Sequence, residues 1–279
     1  MTISEWMKSA IDALHASGCP DPEIDARWIA EDVLGMTARE LRFEAQRTPD
    51  AKQLDELNEC LRRRQQGKPV QYILRRADFM GLRLYVDERV LIPRQDTETL
   101  AEAAIVALQG KHDVAVLDLC AGSGAIGLSI ATLVPGARLT FADVSAPALE
   151  VARKNAQSLN VHADFRKGDL FQAVGKDKFD LIVSNPPYIP SGELPELQRE
   201  VQFEPTLALD GGADGLDLYR RIAAEAGAHL NPGGSVYLEV GAGEAEAVHE
   251  ILLRHLDAAA SGIQKDLNGI ERIVWLRSN

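Results

Sequence analysis

The apolar residues of the first 67 positions recur at intervals of three and four, which predicts a small bundle of helices. Thr37-Ala38-Arg39-Glu40 has the spacing of a capping box, and Asp21-Pro22 predicts a helix with proline just inside its start. Gly35 and Gly67 are predicted to end helices. The apolar positions behind this prediction include Trp6, Ala10, Ile11, Leu14, Ile24, Trp28, Ile29 and Val33.

The apolar period changes to two between Val70 and Ile92. Leu82, Leu84 and Val86 then share one face, and Asp87-Glu88 has the composition of a turn. A β-hairpin that links two domains is therefore predicted for this stretch.

Strands and helices alternate from residue 114 onward, as in a doubly wound α/β fold with a parallel sheet. The predicted strands are 114–119, 138–142, 164–166, 180–184 and 234–240, and the predicted helices start near Thr97, Gly124, Ala146, Asp214 and Glu244. The last two segments, 262–266 and 271–276, are joined by so short a connection that they must pair antiparallel.

The tetrapeptide Asn185-Pro186-Pro187-Tyr188 directly follows the predicted strand that ends at Ser184. Its two prolines lack backbone donors, so the carbonyls here stay free to accept from a ligand. Asn185 adds an amide oxygen and Tyr188 a flat ring with a hydroxyl group. The sequence predicts a clamp for a planar NH2 group, either a carboxamide or the exocyclic amine of a base; a plain Asn-Pro turn is the alternative.

A glycine turn follows the first strand of the sheet. Gly122, Gly124 and Gly127 match the dinucleotide fingerprint, and Asp143 ends the next strand, where its carboxylate is placed to accept from ribose hydroxyls. Asp118, before the glycines, favours a cationic ligand, and S-adenosylmethionine carries both an ammonium and a sulfonium group. Together with the clamp, Asp118 favours S-adenosylmethionine over nicotinamide. The alternative role of Asp143 is to cap a helix with Ser145.

Two further stretches are predicted to lie beside this turn. Asp169 is placed to accept from the amine of an adenine ring while Leu170 packs on its face, although Asp169 is also a common turn residue. The long polar segment 190–214 is predicted to be a mobile flap.

Composition narrows the class of partner. The net charge is -12, and 16 basic residues stand against 26 acidic ones after residue 90, which argues against a general nucleic-acid binder. One basic cluster has no acidic neighbour in the sequence and is either solvated or a contact for a protein or ribosomal RNA: Arg62, Arg63, Arg64, Lys68, Arg75 and Arg76.

Cysteine usage and hydropathy narrow the cellular setting. Cys19, Cys60 and Cys120 have the spacing of neither a disulfide framework nor a metal site, so a reducing, cytoplasmic setting is predicted and no metal is expected. No signal peptide or membrane-spanning stretch is predicted.

Several motifs occur in an order that resembles one family. They are 67–73 (GKPVQYI), 90–98 (VLIPRQDTE), the glycine turn, 185–188 (NPPY), Glu204-Pro205 and 211–217 (GGADGLD). They are similar to the PrmC (HemK) family, the glutamine N5-methyltransferases of peptide-chain release factors. The resemblance implies a role in translation termination, a substrate loop bearing Gly-Gly-Gln, and S-adenosylmethionine as methyl donor. Neither membrane nor direct nucleic-acid binding is expected.

The resemblance also implies an architecture. This is a class I S-adenosylmethionine-dependent methyltransferase fold, Rossmann-like, with a mostly parallel seven-stranded sheet whose last strand is antiparallel. Residues 1–68 would form a helical substrate-recognition domain, 69–93 the hairpin linker and 94–279 the catalytic domain.

Residue roles carry over at the matching positions. Asn185, Pro186 and Tyr188 would be catalytic and, with Pro187, would hold the substrate glutamine. The cofactor would be bound by Asp118, Cys120, Ala121, Gly122, Ser123, Gly124, Asp143, Asp169, Leu170 and Asn185. Three residues depart from the family pattern: Cys120 and Arg75 stand where glycine is usual, and Gln95 where proline is common.

Other functions stay open at this point. A sister family methylates a glutamine of a ribosomal protein, and an adenine-N6 methyltransferase would use the same clamp on an exocyclic amine. From a different class, a nicotinamide-dependent oxidoreductase or a noncatalytic adaptor would fit the same fold.

Overall fold

The computed structural model describes residues 1–279, which divide into two compact units. The first unit is Met1–Arg76 with Gln198–Phe203, and the second is Ala77–Leu197 with Glu204–Asn279. No helix has the length and apolar character needed to cross a bilayer. The roles predicted for 1–68, 69–93 and 94–279 stay predictions.

The first unit contains five helices around one apolar core. The Thr37–Glu40 capping box, the start at Asp21-Pro22 and the left-handed end at Gly35 are all confirmed. Trp6, Leu14, Ile29 and Leu57 are buried in the core. The helices are α1 (Ile3–Ala16), α2 (Pro22–Leu34), α3 (Ala38–Phe43), α4 (Ala51–Gln65) and α5 (Val70–Leu74).

The basic cluster is not free of acidic partners, which corrects the interpretation of the sequence. Arg62 pairs with Glu59 at 2.8 Å, and Arg76 pairs with Asp32 at 3.1 Å. The third arginine, Arg64, is buried and binds Asp25 at 2.5 Å and Glu200 as well. Glu59 lies on the same helix as Arg62, whereas folding brings the partners of Arg64 and Arg76 from distant positions in the sequence. These three guanidinium groups are therefore paired with carboxylates and do not form an open basic surface.

The hairpin prediction was wrong over its first part and over its last, since residues 85–92 are not in a strand and the hairpin does not turn at Asp87-Glu88. Residues Val70–Leu74 form the helix α5, and the hairpin is only β1 (Ala77–Phe79) and β2 (Leu82–Leu84), which turn at Met80-Gly81. Pro69 caps α5 and Arg75 ends it with a left-handed φ of 54°. Burial of Val70, Tyr72 and Ile73 stabilises one helical turn over the extended alternative.

The second unit is the predicted seven-stranded sheet, in the order β5-β4-β3-β6-β7-β9-β8. Five neighbouring strands are parallel and the last strand, β9, is antiparallel to both of its neighbours. The strands are β3 (Ala115–Leu119), β4 (Arg138–Asp143), β5 (Ala163–Lys167), β6 (Phe179–Ser184), β7 (Leu230–Glu239), β8 (Ala258–Lys265) and β9 (Glu271–Ser278). The helices are α6 (Gln95–Ala107), α7 (Ala125–Leu133), α8 (Ala146–Ser158), α9 (Asp217–Ala226) and α10 (Ala245–His255).

The strand order reverses between β3 and β6, which makes a switch point. The chain runs from β3 outward to β5 and then returns to place β6 on the other side of β3. Leu119 and Ser184, the last residues of these two strands, are register partners. Ligands of such sheets bind in the crevice at the carboxyl ends of the strands beside this point. The register therefore sets the glycine turn and the Asn185–Tyr188 tetrapeptide side by side.

Candidate active site at the sheet switch point

A cavity of about 360 Å³ lies at this end of the sheet, and we call it the switch-point cavity. Most of the predicted site residues line it: Cys120, Ala121, Gly122, Ser123, Asp143, Asp169, Leu170, Asn185 and Pro187. Asp118, Gly124, Pro186 and Tyr188 do not. A stretch within 89–97 that carried no predicted site role also contributes, as do residues within 205–210 of the predicted flap segment 190–214.

The glycine turn, residues 120–124, reverses the chain through three left-handed positions. Cys120, Gly122 and Gly124 have φ values of 60°, 54° and 80°. An added Cβ on Gly122 would meet no atom within 4 Å, so the main chain here borders open space. Burial raises the pKa of the Cys120 thiol to about 12, and the thiol is protonated at neutral pH. The turn therefore offers backbone, rather than a reactive side chain, to a ligand.

Asp118 supports the turn from behind. Its carboxyl group is 1% exposed and accepts a hydrogen bond of 2.8 Å from the Gly127 backbone N–H. Burial raises the pKa of Asp118 to about 8, and the nearby Asp143 adds to this shift. A Cβ on Gly127 would lie 2.7 Å from the Phe141 ring, so α7 packs tightly on the sheet at this glycine. In this structure Asp118 thus holds the start of α7 and does not face the cavity.

Asp143 does face the cavity and also organises the backbone around it. One carboxylate oxygen accepts from the Gly122 N–H at 2.9 Å, and the other accepts from the Ser145 N–H at 2.8 Å. Burial raises the pKa of Asp143. Ser145 caps α8 with its own hydroxyl group. Each carboxylate oxygen retains a second lone pair, so the structural role leaves capacity to accept from a ligand hydroxyl.

Asp169 and Leu170 close the cavity on the β5 side. Leu170 is buried and left-handed, with a φ of 48°, which turns its side chain onto the cavity wall. Asp169 forms an exposed ion pair with Arg221 at 2.8 Å, and Arg221 also lines the cavity. The apolar side chain of Leu170 thus lies beside the Asp169–Arg221 ion pair. The sequence had not predicted that Arg221 would be part of the site.

The Asn185–Tyr188 tetrapeptide, which we call the clamp, contains two acceptors that receive no hydrogen bond within the protein. The Asn185 amide Nδ2 donates to the Thr97 hydroxyl at 3.3 Å, which leaves Oδ1 free. The Pro186 carbonyl accepts no hydrogen bond from the protein. A ligand NH2 group has two hydrogens to donate, and the clamp has two acceptors to receive them.

Tyr188 anchors the clamp rather than lining the cavity. Burial raises the pKa of its hydroxyl group to about 12. An added Cβ on Gly211 would lie 2.7 Å from the Tyr188 Cα, and one on Gly215 would lie 2.4 Å from the Tyr188 carbonyl oxygen. Only glycine allows the backbone of Tyr188 to come this close, which explains why glycine stands at positions 211 and 215. The predicted contact of Tyr188 with the substrate stays a prediction.

The segment 190–214 contains three short 3₁₀ helices, Ser191–Glu196, Val201–Phe203 and Thr206–Ala208. Its mobility stays a prediction. Glu204 is buried, accepts from the Ile92 N–H at 2.9 Å and pairs with Arg94. Pro205, Leu207 and Ala208 then reach the cavity wall. The Glu204-Pro205 and Pro93-Arg94 motifs were visible in the sequence, but nothing local linked one to the other.

A buried carboxyl group behind the clamp was also missed. Glu239 ends β7 and is 3% exposed, and the side chains of Thr97 and Asn185 lie within hydrogen-bonding reach of its carboxyl group. Burial raises its pKa to about 7. The sequence feature that could have revealed this residue is its position, since an acidic residue stands inside the apolar strand predicted at 234–240.

Comparison with known proteins agrees with this geometry. Residues 96–197 match the family model of the methyltransferase small domain, and residues 5–74 match that of the PrmC N-terminal domain. The release factor glutamine methyltransferase of Caulobacter vibrioides is 39% identical over 277 residues, covering 98% of this chain and 96% of that protein. The enzyme of that name from Geobacter sulfurreducens is 38% identical over 273 residues, covering 98% and 94%.

A solved structure supports the fold alone. The methyltransferase from Pyrococcus furiosus superposes with a TM-score of 0.52 at 18% identity, covering 71% of this chain and 90% of that one. The predicted class I methyltransferase fold is confirmed.

Proposed function

The chain belongs to the release factor glutamine methyltransferase family, and we propose that its switch-point cavity carries out the family reaction through the residues assigned below. The enzyme transfers a methyl group from S-adenosylmethionine to the side-chain amide nitrogen (N5) of a glutamine in peptide-chain release factors. The observation that carries the residue assignment is a pair of acceptors that receive no hydrogen bond within the protein. They are Oδ1 of Asn185, which lines the cavity, and the carbonyl of the next residue, Pro186, at the strand end beside the glycine turn.

The glycine turn side of the cavity fits the methyl donor. The backbone of residues 120–124 borders the cavity without side-chain obstruction at Gly122, and Asp143 keeps lone pairs for ribose hydroxyl groups. Leu170 supplies an apolar wall for the adenine. We assign these residues to cofactor binding, with Asp169 at the rim and Asp118 as a support of the turn. When bound, the cofactor supplies an electrophilic methyl group on a sulfonium centre.

The clamp side holds the substrate amide. We assign the two amide hydrogens of the glutamine to Asn185 Oδ1 and the Pro186 carbonyl, with Pro187 as part of the wall and Tyr188 as the anchor. As the amide nitrogen gains positive charge its N–H groups donate more strongly, so these two bonds stabilise the transition state more than the ground state. Positioning of this kind contributes about 7 to 11 kcal/mol in favourable cases. No base on the protein is required before transfer.

The remaining assignments concern the protein substrate, nucleic-acid contact and the cellular compartment. We assign the first unit to recognition of the release factor and the Gly-Gly-Gln loop to the cavity, because the whole chain matches its relatives over 98% of its length. We assign no direct nucleic-acid contact, because three arginines of the basic cluster are each paired with a carboxylate: Arg62, Arg64 and Arg76. A translation substrate and free cysteines at positions 19, 60 and 120 are consistent with activity in the cytoplasm.

The test is transfer of labelled methyl groups. Purified protein is incubated with S-adenosylmethionine labelled in its methyl group and with release factor, ribosomal protein or adenine-containing DNA, and the product is mapped by mass spectrometry. We expect label on the glutamine of the Gly-Gly-Gln loop. A release factor whose loop glutamine is replaced by glutamate is the matched control and stays unlabelled. Label on a ribosomal protein or on adenine, with none on the release factor, would overturn the proposal.

A further inference from the structure

A buried acidic side chain lies directly behind the clamp. Glu239 ends β7, the strand beside β6, and Leu238 is the register partner of Ser184, so Glu239 and Asn185 leave their strands at the same level. Glu239 is 3% exposed, and its Oε2 atom has no hydrogen-bond partner. Burying a carboxyl group with incomplete partners is costly. The cost of burying Glu239 beside the clamp indicates that this residue has a role in the site.

The side chains between Glu239 and the cavity form a directed chain. Asn185 Nδ2 donates to the hydroxyl oxygen of Thr97, which is 4% exposed. The Thr97 hydroxyl has one proton, and the Glu239 carboxyl group lies within hydrogen-bonding reach of both Thr97 and Asn185. An ionised carboxylate only accepts hydrogen bonds. With Glu239 ionised, the donors of Thr97 and Asn185 must both point away from the cavity.

The direction of this chain decides which atom of Asn185 meets the substrate. The two ends of an asparagine amide have nearly the same shape but opposite hydrogen-bonding character. With Nδ2 held on the Thr97 side, Oδ1 faces the substrate as an acceptor. With the amide reversed, its NH2 group would meet the NH2 group of the glutamine, and two donors would face each other.

We propose that Glu239, acting with Thr97, is a positioning residue that fixes the orientation of the Asn185 amide, so that Oδ1 receives the substrate N–H. This inference rests on the proposed function of the clamp. It adds a specificity element, because a clamp polarised in this way takes a substrate that donates through an NH2 group and rejects one that presents an acceptor.

The ionisation of Glu239 gives this role a measurable signature. Burial raises its pKa to about 7, while hydrogen bonding to Thr97 and the positive charge of Arg272 lower it. Below that pH the carboxyl group carries a proton and can itself donate to Asn185, so the fixed orientation is lost. The rate therefore falls as pH decreases through about 7. The titratable groups around Glu239 are Asp96, Tyr188, Tyr219, Glu244, Asp266 and Arg272.

The experiment measures single-turnover methylation of release factor between about pH 5.5 and 8.5, at saturating S-adenosylmethionine. The wild type is compared with Glu239→Gln, Thr97→Val and Thr97→Ser. We expect the wild-type rate to rise roughly tenfold with a midpoint near 7, and Glu239→Gln to lose this dependence and stay roughly tenfold below the wild-type plateau. Thr97→Val should be slowed by a similar factor, and Thr97→Ser, which keeps the hydroxyl group, should recover most of the rate.

Cofactor affinity, measured by calorimetry on the same variants, should not change, since none of these side chains is assigned to the cofactor. If Glu239→Gln does not fold, the Thr97→Val and Thr97→Ser pair decides. A wild-type pH profile retained in Glu239→Gln, or a Thr97→Ser rate as low as that of Thr97→Val, would overturn the inference. Absence of release-factor methylation by the wild type would instead overturn the proposed function.

Discussion

The glycine turn after β3 and the clamp after β6 lie at neighbouring strand ends, but different forces give them their shapes. The shape of the turn depends on the main chain, because left-handed positions reverse it. Asp143 accepts from the Gly122 N–H of the turn, and Asp118 accepts from the Gly127 N–H in the helix that follows. The clamp depends on the direction of side-chain hydrogen bonds among Asn185, Thr97 and Glu239. A backbone shape survives many side-chain changes, whereas a hydrogen-bond direction is lost with one group.

This difference assigns separate energetic roles to the two regions. The turn and Asp143 should act on cofactor binding, which involves the ground state. The clamp should act on the chemical step, because its bonds strengthen as charge develops on the substrate nitrogen. A substitution in the turn that slowed the chemical step, or one in the clamp that weakened cofactor binding, would contradict this separation.

The largest expected effect is on the chemical step of Asn185→Ala. Loss of one preorganised hydrogen-bonding group in such a site costs about 10²- to 10³-fold in rate. Single-turnover methylation should fall by that factor, while the affinity for S-adenosylmethionine measured by calorimetry stays within about twofold. Asn231→Ala is the matched control, because Asn231 contacts Asp180 near the opposite end of β6 and should leave both quantities unchanged. Equal losses of affinity and rate in Asn185→Ala would remove the distinction between the two regions.

Asp143→Ala should show the reverse pattern with a smaller effect. Hydrogen bonds to a charged group are worth about 1.5 to 3 kcal/mol, so the affinity for S-adenosylmethionine should fall about 10- to 100-fold. Calorimetric titration measures this loss, and single-turnover rates at saturating cofactor should change far less. Asp143→Asn keeps one acceptor and should lose less affinity than Asp143→Ala. Unchanged affinity in the alanine variant would show that Asp143 only shapes the backbone around Gly122 and Ser145.

The same contrast explains what the sequence could predict. The glycine turn and the Asn-Pro-Pro-Tyr stretch are local patterns at the ends of apolar strands, and the strand order brings such ends together. The α/β class, the strand positions and nine of the residues that line the cavity were therefore predictable. The hairpin was misplaced because the apolar residues at 70–74 satisfy either period over so few positions, and Pro69 and Arg75 favour one helical turn.

The parts that escaped prediction depend on pairings distant in sequence. Asp118 was assigned to a ligand by its type and position, but the helix that follows the turn brings the Gly127 N–H onto its carboxyl group. Glu239 and Thr97 lie on separate elements of the second unit. The sheet register brings Glu239 level with Asn185, and packing of α6 against β7 brings Thr97 to it. The carboxylate partners of the arginine cluster are likewise supplied by folding. Local chemistry can be inferred from sequence, whereas the direction of a hydrogen-bond network cannot.

The smallest expected effect tests how far the turn depends on backbone alone. Cys120 holds a φ of 60°, a conformation that costs a residue with a Cβ roughly 1 to 2 kcal/mol and costs glycine much less. Cys120→Gly and Cys120→Ala both remove the thiol, but only the first removes the Cβ. The glycine variant should therefore be the more stable of the two by about 1 kcal/mol in denaturant unfolding, after its greater chain entropy offsets part of the gain. If alanine is as stable as glycine at this position, the turn is held by side-chain packing, and the contrast with the clamp no longer stands.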